Sequence, residues 1–233
     1  MNASPPRPSP ASAPDPGAAA RLAAVARRGR GGVIRSAPMA PRTSIRVGGP
    51  ADLLVRPADA ADLSAVLGAC RDLDLSLHVL GGGSNLLVAD AGVRGAVVRL
   101  PADACEESGE GERLVLGAGA ATSRLVQRAQ ERGLVGCEFA AGIPGTLGGA
   151  VAMNAGTRIG EMKDVVERVE VAAPEGVRWL EAAELGFAYR TCRLPPGGVV
   201  TRVAFRLRRG DAVASKAAME ADRERRRRTQ PLS

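Results

Sequence analysis

Aromatic side chains are scarce in this sequence: one Trp, one Tyr and three Phe in 233 residues. A surface that binds polynucleotide usually joins a basic face to stacking aromatics or to a recognisable module, and the middle of this chain offers neither. Histidine occurs once, at His78, and the four cysteines, Cys70, Cys105, Cys137 and Cys192, lie more than thirty residues apart. That spacing excludes Cys-x-x-Cys metal ligation and a small disulfide scaffold, so no metal site is expected and the thiols read as reduced and intracellular. Long apolar runs are missing as well. The longest lightly charged stretch, residues 139–157, is broken by Pro144 and several glycines and makes a poor membrane span. The opening "MNASPPRPSPASAPDPG" has no apolar signal region, so a soluble cytoplasmic protein with no membrane partner is expected.

Positive charge is abundant, but it is unevenly placed. Residues 1–46 carry eight Arg against one acid, and residues 202–233 carry ten Lys or Arg against four acids. Between them, fourteen Lys or Arg face twenty acids, so the central body is net acidic. A nucleic-acid partner is therefore not expected, and "RERRRRTQ" (223–230) reads as a solvated helix end.

Residues 1–40 are rich in Pro, Ala, Ser and Arg and read as a disordered tail, with the folded body beginning near Arg42. "ADLLVRP" reads as a strand, and the next segment sets Leu63, Val66, Leu67, Cys70 and Leu73 on one helical face. Short strands follow at "SLHVL", "GAVVRL" and "RLVLGAGA". "TSRLVQRAQERGL" reads as a helix capped by Thr122 or Ser123 and closed by Gly133. "VERVEVAA", "GVRWL" and "GVVTRVAFRLRR" read as strands, and residues 211–233 as a helix. The sum is an α+β body without the regular alternation of a doubly wound sheet.

Two glycine clusters interrupt this pattern. "HVLGGGSNLLV" (78–88) places three glycines between apolar runs, and such a triplet is kept where the chain needs unusual dihedrals or where a ligand approaches the backbone. "GIPGTLGGAVAMNAG" (142–156) repeats the theme: Pro144 stiffens the entry, Gly145, Gly148 and Gly149 keep side chains away, and Thr146 adds a hydroxyl. A helix starting there would aim its first amides at negative charge. Two such bends suit a ligand with an extended anionic middle, such as a dinucleotide. The Rossmann pattern GxGxxG is absent at the first β-to-α turn.

Four segments, "TSIRVGGPADLLVRP", "LGGGSNLLVADAGVRGAVVRL", "GCEFAAGIPGTLGGAVAMNAG" and "LGFAYR", in this order and spacing, resemble the UDP-N-acetylenolpyruvoylglucosamine reductase (MurB) family from about Thr43 onward. The resemblance implies an FAD-binding PCMH-type domain of the vanillyl-alcohol oxidase/MurB-like kind at 41–210, with two α+β subdomains (about 41–101 and 102–210) clasping FAD. Residues 211–233 would then be the helical start of a truncated C-terminal substrate domain. Carried over, the cofactor-binding residues are Gly81, Gly82, Gly83, Ser84 and Asn85, with Ile143, Pro144, Gly145, Thr146, Gly148 and Gly149. FAD would be held non-covalently, leaving His78 a structural strand residue.

The implied chemistry is NADPH-dependent reduction of the enolpyruvyl ether of a UDP-sugar in peptidoglycan biosynthesis. Arg190 of "FAYR" matches the catalytic arginine, and its planar guanidinium suits a substrate carboxylate on which charge develops. Tyr189 and Arg190 are the expected substrate-binding residues. The family's catalytic serine and glutamate belong to the later substrate domain and are not expected in this chain, so its own turnover is in question. Cys192 stands where the family commonly has a serine, exchanging a good hydrogen-bond donor for a weak one. Two alternatives are a non-catalytic FAD or sugar-nucleotide binding module and another flavin oxidoreductase of the same fold. The sequence leaves oligomeric state open.

Overall fold

Two four-stranded sheets organise the computed structural model, which describes residues 16–26, 32–102 and 109–229. Cys105 and residues 1–15 lie outside the described residues.

The first sheet is built from β1 (Gly32–Pro38), β2 (Pro50–Arg56), β3 (Leu77–Val79) and β4 (Val93–Val98), in the order β1-β2-β4-β3. β2 and β3 run parallel to β4, while β1 is antiparallel to β2. Alternation along these strands decides the two faces. Leu53, Val55, Ala96 and Val98 pack with helices α1 (Pro16–Ala26) and α2 (Ala60–Asp72), whereas Leu54 and Val97 pack with Met39, Leu80 and Val88. α2 begins on Asp59, whose side chain accepts from the Asp62 amide at 2.8 Å, and it buries Leu63, Val66, Leu67 and Cys70 as the periodicity predicts.

The disordered-tail reading is corrected over residues 16–26 and 32–38. Ala19, Leu22 and Ala26 of α1 are buried against the sheet, and β1 pairs with β2 from Gly32↔Arg56 to Pro38↔Pro50. Composition hid a helix made of alanines and one leucine at helical spacing, together with an edge strand that tolerates its terminal proline.

The second half contains β5 (Arg113–Gly117), α3 (Thr122–Glu131), the short β6 (Leu134–Val135), α4 (Leu147–Ala152) and the small hairpin β7 (Gly156–Thr157) and β8 (Gly160–Glu161). β9 (Val166–Ala173), β10 (Gly176–Glu181), β11 (Val199–Arg206), the short β12 (Arg208–Arg209) and α5 (Ala212–Thr229) complete it. The antiparallel order is β10-β9-β11-β5. Its core is formed by Leu114, Leu116, Leu125, Phe139, Leu147, Val169, Val203 and Phe205, with few aromatics and many small aliphatics. α2 joins the halves: the Ser64 hydroxyl donates to the Ala173 carbonyl at 2.6 Å, and Arg71 pairs with Glu175 at 2.8 Å.

Thr122 does not cap α3 as expected. The cap position is Ala121, and the Thr122 hydroxyl donates to the Gly145 carbonyl at 3.2 Å instead, so it serves the second glycine bend. Gly133 does close α3, at φ +64°.

Candidate functional site

β3 delivers the chain to the first bend. The Leu80 amide still donates to the Val98 carbonyl at 2.8 Å, and then pairing stops. Among the described residues, the amides of Gly81, Gly82, Gly83, Ser84 and Asn85 donate to no protein acceptor. Gly83 is left-handed, at φ +69°, and a Cβ there would overlap the Arg42 carbonyl oxygen. Its own carbonyl accepts from the Ser44 amide at 3.1 Å. Residues 42–44 therefore form the backing of this bend.

The second bend has a firmer frame. Gly145 sits at φ +107°, its carbonyl accepts from the Thr122 amide at 3.1 Å, and the Leu147 and Gly148 amides donate to Ala120 and Ala118, each at 2.9 Å. Thr146 caps α4 through its hydroxyl, which accepts from the Gly149 amide at 3.4 Å. The six residues of α4 thus leave the bend in helical geometry, as expected from the run of small residues.

The two bends meet. A Cβ on Gly82 would lie 2.6 Å from the Gly145 Cα, and one on Gly81 would lie 2.6 Å from the Thr146 hydroxyl oxygen. The Ser84 hydroxyl donates to the Pro144 carbonyl at 3.4 Å. Only glycine permits this approach of backbone to backbone.

Around the junction lie two adjoining cavities of about 480 and 350 Å³ that share Leu80, Gly81, Thr146, Gly149 and Met153 as walls. Each of the eleven residues expected to hold the cofactor lines one or both of them. The larger cavity is otherwise walled by aliphatics such as Leu100, Val199 and Val200, with Arg56 and Arg99. Apolar ends around a centre rich in uncommitted amides fit a dinucleotide, whose ring systems flank a diphosphate. His78 is exposed on β3 and lines neither cavity.

Arg190 reaches the smaller cavity by an unusual turn. Ala188 and Thr191 exchange amide hydrogen bonds at 3.0 and 3.3 Å, and Arg190 at their tip is left-handed, at φ +56°. One of its terminal nitrogens donates to the Asn85 side-chain oxygen at 3.4 Å, linking the fourth motif segment to the first bend. Tyr189, at the same two-residue tip, is 89% exposed and lines neither cavity.

A support for this tip was not legible in the sequence. Buried Asn154, at φ +40°, donates to Glu161 at 2.7 Å and to the Ala188 carbonyl at 3.3 Å, while its oxygen accepts from the Lys163 amide at 3.0 Å. Its asparagine character in "AMNAG" was the available signal, since Asn tolerates the left-handed region. Cys192 packs half-buried against the second core, and burial raises its thiol pKa. Cys70 and Cys137 are buried more deeply, their pKa values pushed up to about 11 and about 12, chiefly by desolvation, so they behave as inert apolar groups. Among the described residues, no helix is long and apolar enough to cross a membrane.

Comparison with known proteins adds independent findings. The FAD binding domain family matches residues 51–180. The UDP-N-acetylenolpyruvoylglucosamine reductase of Anaeromyxobacter sp. (strain Fw109-5) is 65% identical over 217 residues, covering 93% of this chain and 68% of its own length. That of Myxococcus xanthus (strain DK1622) is 54% identical over 200 residues, covering 84% and 64%. The crystal structure of the Thermus caldophilus reductase superposes with a TM-score of 0.73 at 39% identity, over 87% of this chain and 71% of that one. A 6-hydroxy-D-nicotine oxidase from Arthrobacter nicotinovorans, at TM-score 0.59 and 22% identity over 78% of this chain and 43% of its own, shares the fold. The chain thus spans about two thirds of the length of its curated relatives.

Proposed function

Since the chain belongs to the UDP-N-acetylenolpyruvoylglucosamine reductase family and carries its FAD binding domain, we propose that it holds FAD non-covalently across the two bends and serves NADPH-dependent reduction of UDP-N-acetylenolpyruvoylglucosamine in peptidoglycan biosynthesis. The observation that carries this reading is the contact of the bends, with Gly82 against Gly145 and the amides of residues 81–85 uncommitted beside a groove walled by aliphatics.

Bound FAD would supply the hydride for the substrate's vinyl carbon. The residues of this chain bind, orient and stabilise. Amides of Gly81 to Asn85, and the helix start capped by Thr146, would hold the diphosphate, while Ile143 and Pro144 would set the entry of the second bend. Asn85 holds the Arg190 guanidinium at the mouth of the smaller cavity. A fixed cation there binds a substrate carboxylate more strongly as negative charge builds on it, so it favours the transition state over the ground state. Asn154 fixes the carbonyl two residues before Arg190 and so acts as a positioning residue. Residues 41–210, extended by α1 and β1, make the FAD-binding unit, and α5 begins the substrate-binding part. Cys70, Cys137 and Cys192, all free thiols, support a cytoplasmic setting.

Titration with FAD followed by flavin fluorescence tests the binding reading, and failure to take up FAD overturns it. NADPH oxidation that depends on the enolpyruvyl UDP-sugar tests the reaction. In a complete enzyme that also carries the substrate domain, Arg190→Lys is expected to lower turnover by on the order of a hundredfold, because a point charge replaces a planar fork. An unchanged rate removes Arg190 from the chemistry. FAD uptake without substrate-dependent oxidation of NADPH favours a binding module over a reductase.

A further inference from the structure

Beyond Arg190, the groove carries positive charge that neither the amide cradle nor the substrate carboxylate uses. Arg56 ends β2 and Arg99 follows β4, and these strands pair in parallel up to Val55↔Val98. The Arg99 amide then donates to the Val55 carbonyl at 2.9 Å, which sets the two arginines side by side. Both line the larger cavity together with Gly81, Thr146, Gly148 and Gly149 of the two bends. Among the described residues, neither has a carboxylate within ion-pair distance. Arg42, on the turn backing the first bend, adds a third positive field, and its Nε is buried without a partner.

This arrangement is unfavourable by itself. Half-buried Arg99 loses hydration and faces two like charges, and its pKa is lowered by burial first and then by Arg56 and Arg42. A phosphate-type anion in the cavity would reverse the balance, since a guanidinium can offer it two parallel charge-assisted hydrogen bonds. Backbone amides contribute only partial charges to the same ligand.

We propose that Arg56 and Arg99 form a cationic clamp on the diphosphate of the nucleotide held in the groove, so that cofactor affinity depends on phosphate charge as well as on the amides of the bends. The proposal rests on the FAD reading for the identity of the nucleotide. Titrations of the whole chain with FAD, with riboflavin, which has no phosphate, and with ADP separate the two ideas. Arg56→Gln and Arg99→Gln are each expected to raise the Kd for FAD and ADP about tenfold, and the double variant about a hundredfold, as loss of charge-assisted bonds does. Riboflavin affinity should stay within about twofold, and added salt should weaken FAD binding less in the double variant than in the original chain. Arg99→Lys keeps the charge but loses the planar fork, so its Kd for FAD should lie between those of the original chain and of Arg99→Gln.

Unchanged FAD and ADP affinity in the double variant overturns the clamp, as does a parallel loss of riboflavin binding. A loss in Arg99→Lys as large as that in Arg99→Gln, with its melting temperature unchanged, overturns the assignment of the effect to charge. Tight, arginine-dependent binding of ADP without uptake of FAD keeps the clamp and removes the flavin assignment.

Discussion

The bend at residues 81–85 and the bend at residues 142–149 are both made of glycine, yet they are held in different ways. The second has a frame of its own: hydrogen bonds to Ala118, Ala120 and Thr122 on one side and a capped helix on the other. The first has no regular element after β3, and its shape comes from what leans on it, the Arg42–Ser44 turn behind and Gly145 in front. A segment held by neighbours is sensitive to any atom placed between them, whereas a segment held by its own hydrogen bonds loses them one at a time. The first bend should therefore fail abruptly and the second gradually.

Gly83→Ala should have the largest effect on stability. It combines a left-handed φ with overlap on the Arg42 carbonyl, and about 3 kcal/mol of destabilisation is expected from urea midpoints. Gly133→Ala is the control, since it is equally left-handed, at φ +64°, but has open space around it, and should cost about 1 kcal/mol. Equal losses at the two sites would mean that the backing turn does not shape the first bend. Next comes Gly82→Ala, whose methyl would force Gly145 away: about 2 kcal/mol of stability and at least tenfold in FAD affinity are expected to go together. Thr146→Ala should remove only a helix cap, about 1 kcal/mol by thermal unfolding, and leave the first bend intact.

The smallest effect belongs to the second sheet, away from the bends. Glu167 on β9 accepts from Arg113 on β5 at 2.7 Å and from Arg206 on β11, and the Arg113 hydrogen bond is the main reason its pKa is lowered. A depressed carboxylate contributes stability above its unfolded pKa, and this contribution is lost as the pH falls through the ordinary carboxylate range to the folded value. Glu167→Gln should thus cost about 0.5–1 kcal/mol at neutral pH, both arginines being solvent-screened, and the gap between variant and original should close in acid. FAD affinity should not change, and a change would tie this sheet to the groove.

Much of the fold was legible because period decides burial. α2 and β2 to β5 follow from the spacing of Leu, Val and Ala, and so do β9 to β11. α1 and β1 were missed because their few buried residues, Leu22 among alanines, gain meaning only from the sheet they cover. Both glycine bends stood out, since runs of glycine are costly without a use. Asn154, Arg56 and Arg99 did not, for each belongs to the site through partners distant in sequence: Ala188 for the first, and a shared cavity for the arginines.

By itself the sequence determined most of the strands and helices after β1, where the backbone must be free of side chains, and which family the four motif segments resemble. Those properties are local, set by the dihedral freedom of glycine and the period of apolar residues. The tertiary structure alone decided that Gly82 lies against Gly145, that the tip at Arg190 faces Asn85, and that Arg56 and Arg99 line one cavity with residues of both bends. Contacts between residues sixty or a hundred positions apart are fixed by how the two sheets pack across α2, and no local pattern encodes that packing.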